Sequence, residues 1–163
     1  MRSALNKPNR QTLCTLCTNV PKSMNQTNQI RRLLKLAPDI FGKYPVAFAY
    51  LYGSYATGQA HRFSDLDIAI YLEQMPRRRK LRLELSLALE IDEKLGPEVS
   101  SEVRTINGLP LIVTANIITE GILLYSKNET LRVDFETSVR SAYFDFLPVI
   151  HAYQRAFVET VAP

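Results

Sequence analysis

Two short apolar runs, "PVAFAYLY" at residues 45–52 and "LDIAIYL" at residues 66–72, leave few folds open to this chain. The first is wholly apolar, aromatic and β-branched, as in a central strand covered on both faces, and the second reads as its neighbour. Between them lies "GSYATGQAHRFSD", and Asp65 and Asp67 stand at the entrance of the second run. A carboxylate costs several kcal/mol to bury unless it is paired or binds metal. That cost marks the entrance of the second strand as a candidate site.

The other segments supply helices and further strands. Ile30, Leu33, Leu34 and Ala37 recur at helical spacing, and Pro38 follows as a stop. Gly53-Ser54 opens a short helix with Ser54 near its N-terminus. Residues 79–96 fit two patterns. Leucines at 81, 83, 85, 87 and 89 alternate as in a strand, while Leu83, Leu87, Ile91 and Leu95 step by four. Length, strong helix formers and the Gly96-Pro97 stop decide for a helix. Residues 98–106 form a third strand, 109–121 a helix and 122–126 a small strand. Phe135, Val139, Ala142, Phe146, Val149, Tyr153 and Ala156 then alternate steps of four and three, one apolar seam on a long helix. Pro148 is expected to kink that helix or split it. The pattern predicts an α/β (α+β) domain with flanking helices and a long C-terminal helical segment.

At 163 residues and 46 % hydrophobic content, one domain with a real core is expected. No apolar run approaches the roughly 20 residues of a membrane helix, so a soluble cytoplasmic protein is the expectation. The formal charge of +4 is concentrated at one end. Arg2, Lys7, Arg10, Lys22, Arg31, Arg32 and Lys35 precede the first acid, Asp39; of 20 bases, 13 then remain against 16 acids. Bulk charge therefore gives no case for nucleic-acid binding by the folded part. Cys14 and Cys17 supply two of the four ligands a structural zinc needs, and read as incidental thiols. Residues 1–27 are polar and aperiodic and read as a disordered leader; Met24 offers an alternative start within it. The expected organisation is this leader, a core over 28–126, and a helical segment over 127–163 that packs on the core, on a partner, or on both.

Side chains at i and i+2 of a strand share a face, so Asp65 and Asp67 project together and repel. Mg²⁺ between them removes the conflict and leaves positions for substrate phosphates. A glycine followed by Ser54 at a helix start forms an anion cradle beside those acids. Each piece alone is common; together they describe a phosphate grip next to a metal grip.

The pattern G-S-x10-D-x-D, present as Gly53-Ser54 and Asp65-Leu66-Asp67, resembles the signature of minimal nucleotidyltransferases in the DNA polymerase β superfamily. The resemblance runs from about residue 28 to the C-terminus. With "IITEGILLYSKNETLRVDFETSVRSAYFDFLPVIHAYQRAF" at 117–157, the chain is similar to the antitoxin subunit of HEPN–MNT toxin–antitoxin systems. The resemblance implies a small mixed β-sheet of polymerase β type. It also implies AMP transfer from ATP to a tyrosine of a partner HEPN ribonuclease, silencing it. Carried over, Gly53, Ser54 and Ser64 hold the nucleotide, while Asp65, Asp67 and a third acid, Glu102, bind Mg²⁺ and serve catalysis. Relatives commonly have aspartate at the third position, and often arginine where this chain has Thr57; Arg62 or His61 is the available substitute for that charge. Ser64 also suits a turn cap, and Glu102 a surface pair with the neighbourhood of Arg104. The basic run "PRRRKLR" at 76–82 reads as a solvated helix start or a partner contact.

Two other functions share these residues. One is a binding antitoxin that neutralises its toxin by contact through the seam from Phe135 to Phe157. The other is a nucleotidyltransferase acting on a small molecule, for which so short a chain has little spare structure unless a dimer builds the pocket. A homodimer and a hetero-oligomer with the toxin are both compatible with the sequence.

Overall fold

The computed structural model describes residues 22–61, 63–73 and 75–161, with side chains described from 26 to 157. Cys14, Cys17 and Arg62 lie outside those residues. Among the described residues, five helices and four strands follow one another: α1 (Lys22–Phe41), β1 (Val46–Tyr52), α2 (Gly53–Ala56), β2 (Leu66–Leu72), α3 (Arg77–Leu95), β3 (Ser101–Thr105), α4 (Leu111–Glu120), β4 (Ile122–Ser126) and α5 (Glu129–Val161). The strands form one mixed sheet in the order β3-β2-β1-β4. β1 runs antiparallel to both β2 and β4, whereas β2 and β3 are parallel and joined through α3. A parallel pair needs such a crossover, and a helix supplies it.

The two apolar runs are the central strands because helices cover both of their faces. On one face Ala49, Leu51, Leu66, Ile68 and Ile70 meet Leu33, Ala37, Ile40 and Phe41 of α1 and Leu87, Ile91 and Leu95 of α3. On the other, Phe48, Tyr50 and Ala69 meet Ile117 of α4 and Leu131 and Phe135 of α5. Phe48 stacks on Tyr71 with ring centroids 4.6 Å apart, and Phe135 closes on Tyr71 edge-on at 5.0 Å. In α3 the step of four wins over the alternation: Leu87, Ile91 and Leu95 are buried, while Leu81, Leu85 and Leu89 face outward.

Three expectations need correction. The leader read over residues 1–27 ends earlier, because α1 begins at Lys22. The Gln26 side chain donates to the Ala60 carbonyl, and Tyr55 donates to Gln29 Oε1 at 3.1 Å, so this first part of the helix is tied to the domain. Pro38 does not stop α1, although its ring removes one helical N–H. The fully buried Ile40 and Phe41 hold the following turn in place, and Gly42 N–H closes it on the Pro38 carbonyl at 3.0 Å. Leu34 is exposed, and the buried stripe runs through Leu33, Ala37 and Ile40 instead. Of the two outcomes expected at Pro148, the split does not occur, since the residue lies within α5.

The beginning of α5 is anchored by more than apolar contact. Tyr50 donates to Glu136, and Arg132 pairs with both Glu136 and Glu129. Burial, and then the Glu136 hydrogen bond, push the Tyr50 phenol up to about 12. Farther along the helix, Phe146, Val149, Tyr153 and Phe157 are all exposed.

Candidate active site

β1 ends in Tyr52, the chain turns through Gly53, and β2 returns beside it with Tyr52 opposite Asp67. Gly53 has φ of 70°, a left-handed conformation that costs side-chain-bearing residues roughly 1–2 kcal/mol. Its missing Cβ matters equally. A Cβ there would stand 3.2 Å from Asp67 Cγ and overlap Oδ2. Glycine therefore lets the backbone at the start of α2 approach the carboxylate. Tyr55, buried against the α1 side, fixes α2 from below, and Thr57 Oγ1 donates to the Gly53 carbonyl at 3.2 Å. Thr57 thus closes the short helix at the position where arginine would bring charge.

Asp67 is half-buried, and Asp65, one residue before β2, is exposed. Parallel pairing puts Glu102 beside Asp67 on the neighbouring strand. Burial first, then the charges of Glu102 and Asp65, hold the Asp67 carboxyl above its ordinary range, with Arg104 opposing them. Glu102 and Asp65 therefore both act on Asp67 at this end of the sheet. Glu102 is also engaged with Arg104, whose Nε donates to Glu102 Oε1 at 2.7 Å. Among the described residues, no group of three or more His, Cys, Asp or Glu side chains is gathered tightly enough to hold a metal. Asp65 and Asp67 nonetheless offer hard oxygen donors under mutual repulsion, the donor chemistry that suits Mg²⁺.

Ser54 is half-buried at the second residue of α2. Ser64 Oγ accepts the His61 N–H at 2.9 Å, and Ser64 N–H returns to the His61 carbonyl at the same distance. Ser64 therefore closes the turn into β2. Two neighbours of the acids were not anticipated as site residues. Tyr52 faces Asp67, and burial and then Asp67 raise its hydroxyl. Arg104 lies two residues past Glu102 on the same face, and that spacing was the signal for it. Glu102 and Arg104 also border a groove of about 410 Å³ between α3 and β3, with Leu81 and Leu85 along its other side.

A family model described as "Polymerase beta, Nucleotidyltransferase" matches residues 35–130. The chain belongs to this family. The match takes in both central strands, the glycine turn, all three acids and the first residues of α5. Among solved structures, a toxin–antitoxin with AMP-PNP is 23 % identical, with 85 % of this chain and 99 % of that chain covered and a TM-score of 0.54. A mutant MntA–HpeT toxin–antitoxin is 20 % identical over 82 % of this chain and 98 % of that chain, with a TM-score of 0.56. A third, a tri-AMPylated Shewanella oneidensis HEPN toxin in complex with MNT antitoxin, is 19 % identical over 85 % of this chain and 99 % of that chain, with a TM-score of 0.52. At these identities the likeness is one of fold. No curated protein matches the chain. Among the described residues, no helix of this nucleotidyltransferase is long and apolar enough to cross a membrane.

The role of the glycine can be isolated by comparison. Gly53→Ala meets both strain and the Asp67 carboxylate. Gly58→Ala meets strain alone, since φ is 73° with nothing within 4 Å of a Cβ. Gly108→Ala meets neither. Urea melts should order the losses as Gly53 greater than Gly58 greater than Gly108, with about 1 kcal/mol for Gly58→Ala and at least about 1 kcal/mol more for Gly53→Ala. Equal losses at 53 and 58 would remove the argument for a close approach.

Proposed function

We propose that the chain is a cytoplasmic antitoxin that transfers AMP from ATP to a tyrosine of a HEPN ribonuclease toxin in a Mg²⁺-dependent reaction. The observation that carries this reading is the Gly53 turn pressed against Asp67, with Asp65 and Glu102 acting on the same carboxylate. Family membership supports nucleotidyl transfer. The AMP-PNP complex and the tri-AMPylated toxin among its structural neighbours support the nucleotide and the acceptor.

The chemistry is an in-line displacement. The acceptor phenol oxygen bonds to the α-phosphorus as the bond from that phosphorus to the bridging oxygen breaks, and pyrophosphate leaves with the electron pair. The phenolic proton passes to the Glu102 carboxylate. The Gly53–Ser54 backbone and the Ser64 hydroxyl hold the triphosphate, while Asp65 and Asp67 would hold Mg²⁺. When bound, the cation supplies neutralisation of phosphate charge as the displacement proceeds. Positioning and charge neutralisation are most of what such a transfer needs.

Incubation of a HEPN toxin with this chain, ATP and Mg²⁺, followed by intact-mass and peptide mass spectrometry, tests the assignment. The expected result is addition of one or more AMP units on tyrosine, absent without ATP. A toxin that is neutralised with no change in mass would overturn the transfer and favour neutralisation by contact. That second reading draws on the exposed apolar end of α5. Transfer to a small molecule has less support, because Asp65 is exposed and Asp67 only half-buried at this end of the sheet.

A further inference from the structure

The third acid is held by a cation of the chain itself. Glu102 faces Asp67 in the parallel register of β2 and β3, and Arg104 follows two residues later on the same face, opposite Ala69. Side chains so placed share one surface. Here both Nε and Nη2 of Arg104 engage a single oxygen, Glu102 Oε1. The same guanidinium acts on Asp67 and Tyr52. Its charge is permanent, because arginine does not deprotonate in proteins.

We propose that Arg104 is the resident counter-ion of the acid cluster, a positioning residue that competes with a divalent cation for the Glu102 carboxylate. This role presupposes the cation site at Asp65 and Asp67 proposed above. The pair is open to solvent, with side-chain exposures of 56 % for Arg104 and 48 % for Glu102. Exposed ion pairs are weak enough for a divalent ion to break. Without the ion, Arg104 offsets repulsion among the acids. With it, Glu102 is released to join Asp67, and the guanidinium moves aside. Aspartate at this position has a shorter reach. The longer glutamate can meet either the arginine or the metal, which gives the substitution at 102 a physical purpose.

The test needs no substrate. Free Mn²⁺ is counted by electron paramagnetic resonance during titration of the full chain. Arg104→Gln is expected to bind Mn²⁺ about fivefold more tightly than the unaltered chain. Arg104→Lys, which keeps the charge, stays close to the unaltered affinity. The gain should shrink at high salt, where exposed pairs are screened, and vanish in a Glu102→Gln background. Unchanged affinity in Arg104→Gln, with binding lost in Asp65→Asn/Asp67→Asn, overturns the competition alone. A gain that persists with Glu102→Gln also overturns it, since Arg104 would then act only as a distant charge. Binding that survives loss of both aspartates overturns the cation site and the role of Arg104 together.

Discussion

Asp65→Asn combined with Asp67→Asn is expected to abolish adenylyl transfer, by at least about a thousandfold, while leaving the protein folded. The two effects have one cause. Burial and the neighbouring acids raise Asp67 above the ordinary carboxylate range, so the folded chain holds that proton more tightly than the unfolded chain does. By linkage, the ionised carboxylate then disfavours the fold at every pH above that raised value. A neutral, isosteric asparagine removes this penalty, and the melting midpoint should stay level or rise. Transfer moves the opposite way, because asparagine supplies no charge to hold a divalent cation against a triphosphate. A stability gain with a loss of function is what a site under stored repulsion produces. Mass spectrometry of the treated toxin and a thermal melt of the same preparation check both halves. Undiminished labelling would remove the aspartates from the mechanism; a collapsed melt would make them structural.

How much of this was legible depended on whether backbone pattern or side-chain geometry decided each feature. The central strands could be read because an apolar run such as Val46–Tyr52 has no polar face and must be covered twice. The helical reading of α3 survived its alternating leucines because Leu87, Ile91 and Leu95 follow the helical period into the core. Pro38 misled. It removes one helical hydrogen bond, but local propensity cannot measure what tertiary burial returns, and Ile40 and Phe41 return enough. At the site, the glycine turn and Asp67 were visible because both are dictated by the backbone. The pairing of Glu102 with Arg104 was legible only as the alternative to a metal role, since a spacing of two on a strand gives the shared face but not the contact. Thr57 shows the same limit: its hydroxyl closes α2 on the Gly53 carbonyl, a contact that no pattern in the sequence requires.

Phe146→Asp combined with Tyr153→Asp is expected to weaken capture of the HEPN toxin about a thousandfold while leaving the melting curve unchanged. α5 has 33 residues and so is roughly 50 Å long at the rise of an α-helix. The sheet and α4 support its beginning, through Leu131 and Phe135. Farther along, Phe146 is 41 % exposed and Tyr153 73 % exposed, with Val149 between them on the continuing seam. That surface adds nothing to the described core, so placing charge there costs folding little. In a desolvated interface, two unpaired carboxylates cost far more. Phe135→Asp is the internal contrast: its ring packs on Tyr71 and Phe48, so that change should lower the melting midpoint. Pull-down of the toxin and a cell-protection assay, each run beside the double aspartate variant, then separate the two modes of neutralisation. If transfer is what protects, both double variants fail to protect, and the aspartate variant still captures toxin. If contact alone protects, the aspartate variant protects fully, and only the α5 variant fails. Full capture by the α5 variant would mean that the toxin sits elsewhere on this fold.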